Sequence, residues 1–375
     1  MLTARSVEVA LGWRTIQGGG VGCRGVVFLG DGSYEVREFP IPTPLPGGAV
    51  LQVEAVGLCA SDVSQLRGVP HVPGEVCPVV PGHEIVGRVH ALAPDADLGV
   101  SVGQRVGVDL LVLNSPARPG LNLYGYTIPP DFEHGLWGGY GEYMGILPGT
   151  QLVPLTDDVP AAELSLIEPL SSIVAWSEAV GLSRHDRLVV QGPGHMGLIA
   201  VAYAACMLDV KQIVVTGTAR DGLRLEAARA LGAHETLVVE EEANLVGRIQ
   251  ELTGGGPSVV MELSAMATQP VSDAIEMARM GGRILLGGMK DQRPVEIISD
   301  HIIMKSLRVI GGSGGTPATF AKAGDVLNSG RFPTATLVGE TFTLDEIDEA
   351  MALLERTLPD RDAVRVGLVH RATGG

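Results

Sequence analysis

Leu188-Val189-Val190-Gln191-Gly192-Pro193-Gly194-His195-Met196-Gly197 decides the fold of this chain. Four residues of strand character run straight into Gly-x-Gly-x-x-Gly, and an apolar helical segment follows at residues 198–208. The bare glycine pattern is common by chance; between a strand and a helix it has a physical job. Gly192 permits a tight turn, Gly194 lets backbone approach a pyrophosphate, and Gly197 lets the helix pack closely on the strand. The helix N-terminus then presents free N–H groups to the anion. His195 and Met196 lie inside the loop and count as candidate contacts, although ordinary loop variability accounts better for His195.

Outward from the loop, the sequence alternates. Strands are expected at residues 187–191, 212–216, 236–239, 258–262, 283–287 and 307–310, with helices at 198–208, 223–231, 244–252 and 271–280 between most of them. Gly232 stands where a helix C-terminal glycine belongs. Six strands in this rhythm describe an α/β, doubly wound parallel sheet over residues 176–312. The preceding residues read mainly as β, with strands at 26–29, 49–56, 84–91 and 105–111 punctuated by Gly/Pro clusters such as 40–48. Residues 114–144 are glycine- and aromatic-rich and read as an irregular functional loop or lobe, and 161–180 reads as helix. After Gly311, helices at 316–329 and 344–356 and a strand at 364–369 form a tail too small to fold alone. Residues 313–375 are therefore expected to complete a first domain of residues 23–175, with 1–22 as an extension.

With 375 residues there is room for two domains with real cores. A net charge of −16 argues against a nucleic-acid partner. Cys23, Cys59, Cys77 and Cys206 have no paired spacing, which suits a reducing cytoplasm rather than a disulfide scaffold. The first 22 residues have no uninterrupted apolar core and do not look like a signal peptide, and the apolar run at 198–208 is too short to span a bilayer.

About 20 residues past the loop, an NAD enzyme should carry a carboxylate for the ribose 2′-OH. Gly217 occupies that place, followed by Thr218, Ala219, Arg220 and Asp221. Arg220 suits a 2′-phosphate and leans the reading toward NADP. As a solvated cation at a helix start it explains itself equally well, and Asp221 reaches the ribose instead if the loop carries an insertion.

Cys59, His83 and Glu168 bring together thiolate, imidazole and carboxylate, the donors zinc prefers, and three protein ligands with an open fourth position mark a catalytic rather than a structural zinc. Taken singly, Cys59 is a small buried hydrophobe, His83 a core histidine, Glu168 a surface carboxylate, and Ser61 and Asp62 caps of a helix starting near Val63. Jointly, those explanations require several coincidences.

The ordered motifs add a resemblance. Gly57-Leu58-Cys59-Ala60-Ser61-Asp62 and Pro81-Gly82-His83-Glu84-x-x-Gly87 resemble the first and second metal motifs of the zinc-dependent medium-chain dehydrogenases. Glu168-Pro169-Leu170 is similar to the third ligand segment of their polyol and threonine dehydrogenase branches. Gly138-Gly139-Tyr140-x-Glu142-Tyr143, the glycine loop and Leu344-Asp345-Glu346-Ile347-x-Glu349-Ala350 extend the resemblance over roughly residues 24–370. It implies a GroES-like, mostly-β catalytic domain and a Rossmann cofactor domain. It implies Cys59, His83 and Glu168 as zinc ligands, and Glu84 as a carboxylate that ligates or exchanges with water. It further implies Asp62 as the group orienting His83, Ser61 as the hydroxyl that binds the substrate and starts proton release, and a homodimer or homotetramer.

Two departures stand out. The structural-zinc cysteines of many relatives are missing, since no cysteine lies between Cys77 and Cys206. One zinc is expected, and the lobe must be held by packing, with Tyr124, Tyr126 and Trp137 as candidates. The relay histidine five residues after the ligand cysteine is replaced by Ser64. The implied reaction is reversible oxidation of a secondary, cyclic or polyol-type alcohol with NAD(P). The alternatives are a threonine or amino-alcohol dehydrogenase, and a metal-free, quinone-reductase-like or non-catalytic nucleotide-binding relative.

Overall fold

The computed structural model describes residues 22–370; apart from Gly22, the expected N-terminal extension lies outside them. Among the described residues the chain forms two compact units, one of residues 22–168, 340–361 and 365–370, the other of residues 169–339 and 362–364.

The first unit begins with an antiparallel hairpin, β1 (Gly22–Phe28) and β2 (Tyr34–Pro40). Its central strand is β3 (Ala49–Leu58), which leads into a short helix, α1 (Ala60–Leu66). Then come β4 (Glu84–Leu92), β5 (Arg105–Val108), the hairpin β6 (Leu111–Ser115) and β7 (Arg118–Leu123), β8 (Tyr143–Ile146) and β9 (Leu152–Pro154). The expected strand at 105–111 divides because Asp109 turns the chain, its carboxylate accepting from the Leu111 N–H at 3.1 Å. The segment at 114–144 is thus partly regular. Trp137, Tyr124 and Tyr140 are wholly buried, and Tyr126 almost so. The Tyr124 hydroxyl accepts from the Leu147 N–H and pairs with Thr150 Oγ1, so aromatic packing and satisfied hydroxyls hold this lobe.

The helix expected at 161–180 is also two pieces, α2 (Ala161–Leu164) and α3 (Ile167–Ala179). The interruption at Ser165 leaves a carbonyl and a hydroxyl that the Arg365 guanidinium takes up.

The second unit is built on six parallel strands, β10 (Arg187–Gln191), β11 (Gln212–Gly217), β12 (Glu235–Val238), β13 (Val259–Glu262), β14 (Arg283–Leu286) and β15 (Arg308–Gly311). Their order is β12-β11-β10-β13-β14-β15, the doubly wound sheet expected. Helices α4 (His195–Cys206), α5 (Gly222–Ala230), α6 (Leu245–Leu252), α7 (Gln269–Met277) and α8 (Ser299–Met304) intervene. Val189, Val214, Val260 and Ile284 stack across the sheet with Ile249 and Ala274 packed on them. That burial on both faces is why these strands read as continuous apolar runs. Helices α9 (Pro317–Asn328) and α10 (Thr334–Leu337) follow. They lie in this second unit rather than in the first domain expected to claim residues 313–375. The reason is local: Ser171 and Thr319 share a buried hydroxyl contact at 3.1 Å, and Phe320 is buried.

The chain then re-enters the first unit with β16 (Glu340–Phe342), α11 (Ile347–Leu354) and β17 (Val366–Val369). They close a seven-stranded sheet whose main path is β16-β17-β3-β4-β5-β9, with β8 also paired to β3. No helix among the described residues is long and apolar enough to cross a membrane.

Candidate metal centre and nucleotide loop

Cys59 sits at the N-cap of α1, and the Asp62 carboxylate three residues on accepts from the Cys59 backbone N–H at 2.8 Å. Asp62 is wholly buried, receives the Tyr140 hydroxyl at 3.1 Å, and faces His83 Nδ1 at 3.5 Å. One carboxylate thus closes the start of the helix and stands opposite the imidazole.

His83 and Glu84 lie where the chain enters β4, opposite the end of β3, with Glu84 paired to Gly57. Glu168 stands in the first turn of α3. Donor atoms of His83, Glu84 and Glu168 all lie within 4.8 Å of one another, and the Cys59 sulfur lies within the same distance of a Glu84 carboxylate oxygen. Ser61 is beside them, its hydroxyl 2.8 Å from that of Tyr126. The Tyr126 oxygen is 3.4 Å from His83 Nε2, and the two rings pack at 4.9 Å between centroids.

The electrostatics of this cluster call for a cation. Burial works against a charged His83, yet the Asp62 carboxylate and Cys59 outweigh it and hold the imidazole well above its ordinary range. Burial, followed by the same two groups, pushes the Tyr126 phenol well up, so it acts as a neutral hydroxyl. Glu84 is 1% exposed and ion-paired with the equally buried Arg365. The buried carboxylates of Asp62 and Glu84, the half-buried Glu168 and the Cys59 thiol are gathered here beside His83 and Arg365. With soft sulfur, nitrogen and oxygen donors together, a zinc ion fits the set.

The glycine loop has the geometry its spacing implies. Gly192 has φ of +93°, and a Cβ there would stand 2.8 Å from Ser264 Cα. A Cβ on Gly197 would collide with the Gly192 carbonyl, whereas one on Gly194 would meet nothing within 4 Å. Two glycines are thus demanded by packing, and the open space at the third leaves room for a ligand. His195 and Met196 form the first turn of α4 behind the Gly194 N-cap, next to that space.

Gly217 ends β11, Thr218 caps the following 3-10 turn, and Arg220 lies exposed within it. Asp221 is buried; its carboxylate accepts from the Thr218 N–H at 2.8 Å and the Thr218 hydroxyl at 2.6 Å.

Sequence reasoning missed Arg365 altogether and assigned Tyr126 to packing alone. No local spacing signals them: Arg365 reaches Glu84 across 281 positions, and Tyr126 reaches Ser61 across 65.

Comparison with known proteins gives two family models. Residues 45–157 match the alcohol dehydrogenase GroES-like domain and residues 196–329 the zinc-binding dehydrogenase domain. A probable alcohol dehydrogenase of Mycobacterium tuberculosis is 32% identical over 338 residues, 85% of this chain and 90% of the relative. An erythritol/L-threitol dehydrogenase of Mycolicibacterium smegmatis is 30% identical over 366 residues, 92% and 96% of the two chains. Among solved structures, an Escherichia coli alcohol dehydrogenase complexed with NADH matches with a TM-score of 0.80 at 24% identity, covering 94% of this chain and all of that one. At that identity the likeness speaks to the fold.

Proposed function

The chain belongs to the zinc-dependent medium-chain dehydrogenases and is a zinc-type, NAD(P)-linked alcohol dehydrogenase, and we propose that Cys59, His83, Glu84 and Glu168 hold its catalytic zinc for oxidation of secondary, cyclic or polyol-type alcohols. The observation that carries this reading is the meeting of His83, Glu84 and Glu168 donor atoms within 4.8 Å of one another, with the Cys59 sulfur equally near a Glu84 carboxylate oxygen. Bound there, zinc supplies Lewis acidity that lowers the pKa of an alcohol oxygen. Ser61 takes the hydrogen bond of the substrate hydroxyl and starts proton release. Tyr126 fixes the Ser61 hydroxyl and remains neutral because burial and the surrounding anions oppose its ionisation. Asp62 holds the His83 ring through Nδ1, which leaves Nε2 for the metal. Arg365 anchors Glu84 at the edge of the donor set.

Gly192, Gly194, His195, Met196 and Gly197 are proposed to cradle the dinucleotide pyrophosphate at the start of α4. Gly217, Thr218 and Arg220 are proposed to line its adenosine ribose. Arg220 favours a 2′-phosphate, but the Glu240 carboxylate stands at the same turn. One zinc per subunit is proposed, because the lobe is supported by its buried aromatic residues. A reducing cytoplasm suits Cys23, Cys59, Cys77 and Cys206, none of which is joined in a disulfide. The polyol-type substrates follow the erythritol/L-threitol dehydrogenase relative and the sorbitol dehydrogenase of Halalkalibacterium halodurans, 28% identical over 331 residues. Subunits are proposed to associate through the β15 edge of the parallel sheet.

Metal analysis combined with a substrate panel tests the site. The purified protein should carry about one zinc per subunit and oxidise secondary and polyhydroxylated alcohols with a nicotinamide cofactor. Cys59→Ala should lose metal and activity together. Full activity in a metal-free preparation would sink the proposal.

A further inference from the structure

The turn that follows β11 decides how an adenosine ribose is met, and there the usual acidic residue is replaced by Gly217. That replacement is enforced. A Cβ on Gly217 would stand 2.9 Å from Cγ of Pro193, a ring atom of the glycine loop that has little freedom to yield. A carboxylate needed at this place has to come from another strand.

The parallel register shows which one. β11 pairs with β12 so that Gly217 lies opposite Val238. Two residues beyond each partner, Ala219 and Glu240 therefore come side by side, and the Ala219 N–H donates to a Glu240 carboxylate oxygen at 3.0 Å. Glu240 itself is exposed, so the second carboxylate oxygen is accessible to a ligand hydroxyl.

A 2′-phosphate would need donors at this turn, and three of them are already engaged by carboxylates. Ala219 N–H is held by Glu240, and Thr218 N–H and hydroxyl by Asp221. A phosphate entering here would displace one anion and lie against another, an arrangement in which like charges a few ångströms apart repel strongly. A ribose diol makes the opposite demand: it donates hydrogen bonds, and a carboxylate is the acceptor that suits it.

On the reading that the glycine loop binds a nicotinamide dinucleotide, we infer that Glu240 recognises the adenosine ribose hydroxyls and selects NAD over NADP, despite Arg220 at the same turn. Exclusion is half of this selectivity, because Glu240 rejects the extra phosphate as well as accepting the hydroxyl.

Equilibrium titration of the purified protein with NADH and NADPH, followed by quenching of intrinsic fluorescence or by calorimetry, tests this without catalysis. The wild-type protein should bind NADH about tenfold or more tightly than NADPH. Glu240→Gln keeps the acceptor for Ala219 but removes the charge, and should shrink that ratio about fivefold or more, chiefly through tighter NADPH binding. Equal or tighter binding of NADPH by the wild type, or a ratio unmoved by Glu240→Gln, overturns the inference. Binding of neither cofactor overturns the dinucleotide reading and this inference with it. A thermal melt of Glu240→Gln that matches wild type keeps the comparison clear of folding effects.

Discussion

Gly57 shows how tightly the metal site is tied to a single residue. No positive φ requires glycine there; the constraint is space. A Cβ on Gly57 would collide with both the Arg365 guanidinium and the Glu84 carboxylate. That ion pair is almost wholly buried, and Arg365 is further bonded to the Ser165 hydroxyl and carbonyl at 3.0 and 3.1 Å. A buried pair of this kind adds little relative to an apolar substitute, but breaking it leaves an uncompensated charge that costs about 3–5 kcal/mol. Gly57→Ala forces the two partners apart, so it should destabilise the first unit by a comparable amount and lower zinc occupancy because Glu84 loses its anchor. Differential scanning calorimetry reads the first effect, as a downward shift of the melting transition by several degrees or more, and metal analysis the second. A Gly57→Ala protein with wild-type melting and full zinc would show that the ion pair does not constrain this position.

At the scale of elements, the lobe between β5 and β9 does without the cysteine cluster that many relatives use, and its stability rests on stacked rings. His134 packs on Trp137 at 4.3 Å between centroids, and its Nδ1 accepts from the Leu136 N–H. Burial pushes the His134 pKa down from 6.5 to about 4, so the folded lobe holds the ring neutral while the unfolded chain protonates it near pH 6.5. The folded pKa is the lower one. The interaction is therefore intact above pH 6.5 and is lost as pH falls from 6.5 toward 4, at a slope approaching about 1 kcal/mol per pH unit. His134→Phe should flatten that part of the acid-stability profile, read from melting temperatures between pH 7 and 4; identical profiles for the two proteins would exclude His134 as the titrating group. The glycine loop and the parallel strands were legible in the sequence because contiguous residues dictate them: apolar runs, then glycines wherever Cβ atoms cannot fit. The proposed metal donors Cys59, His83, Glu84 and Glu168 stand in the sequence as residue types in order. The break at Ser165 and the hairpin at β6 and β7 were not legible, since a distant arginine decides the first and an aspartate turn the second. Tyr126, Arg365 and Glu240 owe their places to contacts made across the fold, which no local spacing announces.

The parallel sheet has two edges, and they differ in a way that bears on assembly of the whole molecule. Edge strands present unpaired backbone groups that invite pairing with another chain, and charge is one means of preventing it. β12 begins with Glu235 and is followed by Glu240, Glu241 and Glu242, so like charge guards that side. β15 has no such acidic guard. Val309 is 41% exposed on it, and Ile303 and Met304 in the adjacent α8 are 74% and 72% exposed. In a chain of net charge −16, which resists unspecific association, such apolar side chains beside an open strand favour a second copy that continues the sheet across a two-fold axis. Light scattering on the eluting protein should therefore give a dimer or a higher even-numbered assembly. Val309→Asp combined with Ile303→Asp places like charges face to face across that axis and should yield a monomer whose circular dichroism matches wild type. A wild-type monomer at micromolar concentration, or a double variant of unchanged mass, would exclude the β15 edge as the interface.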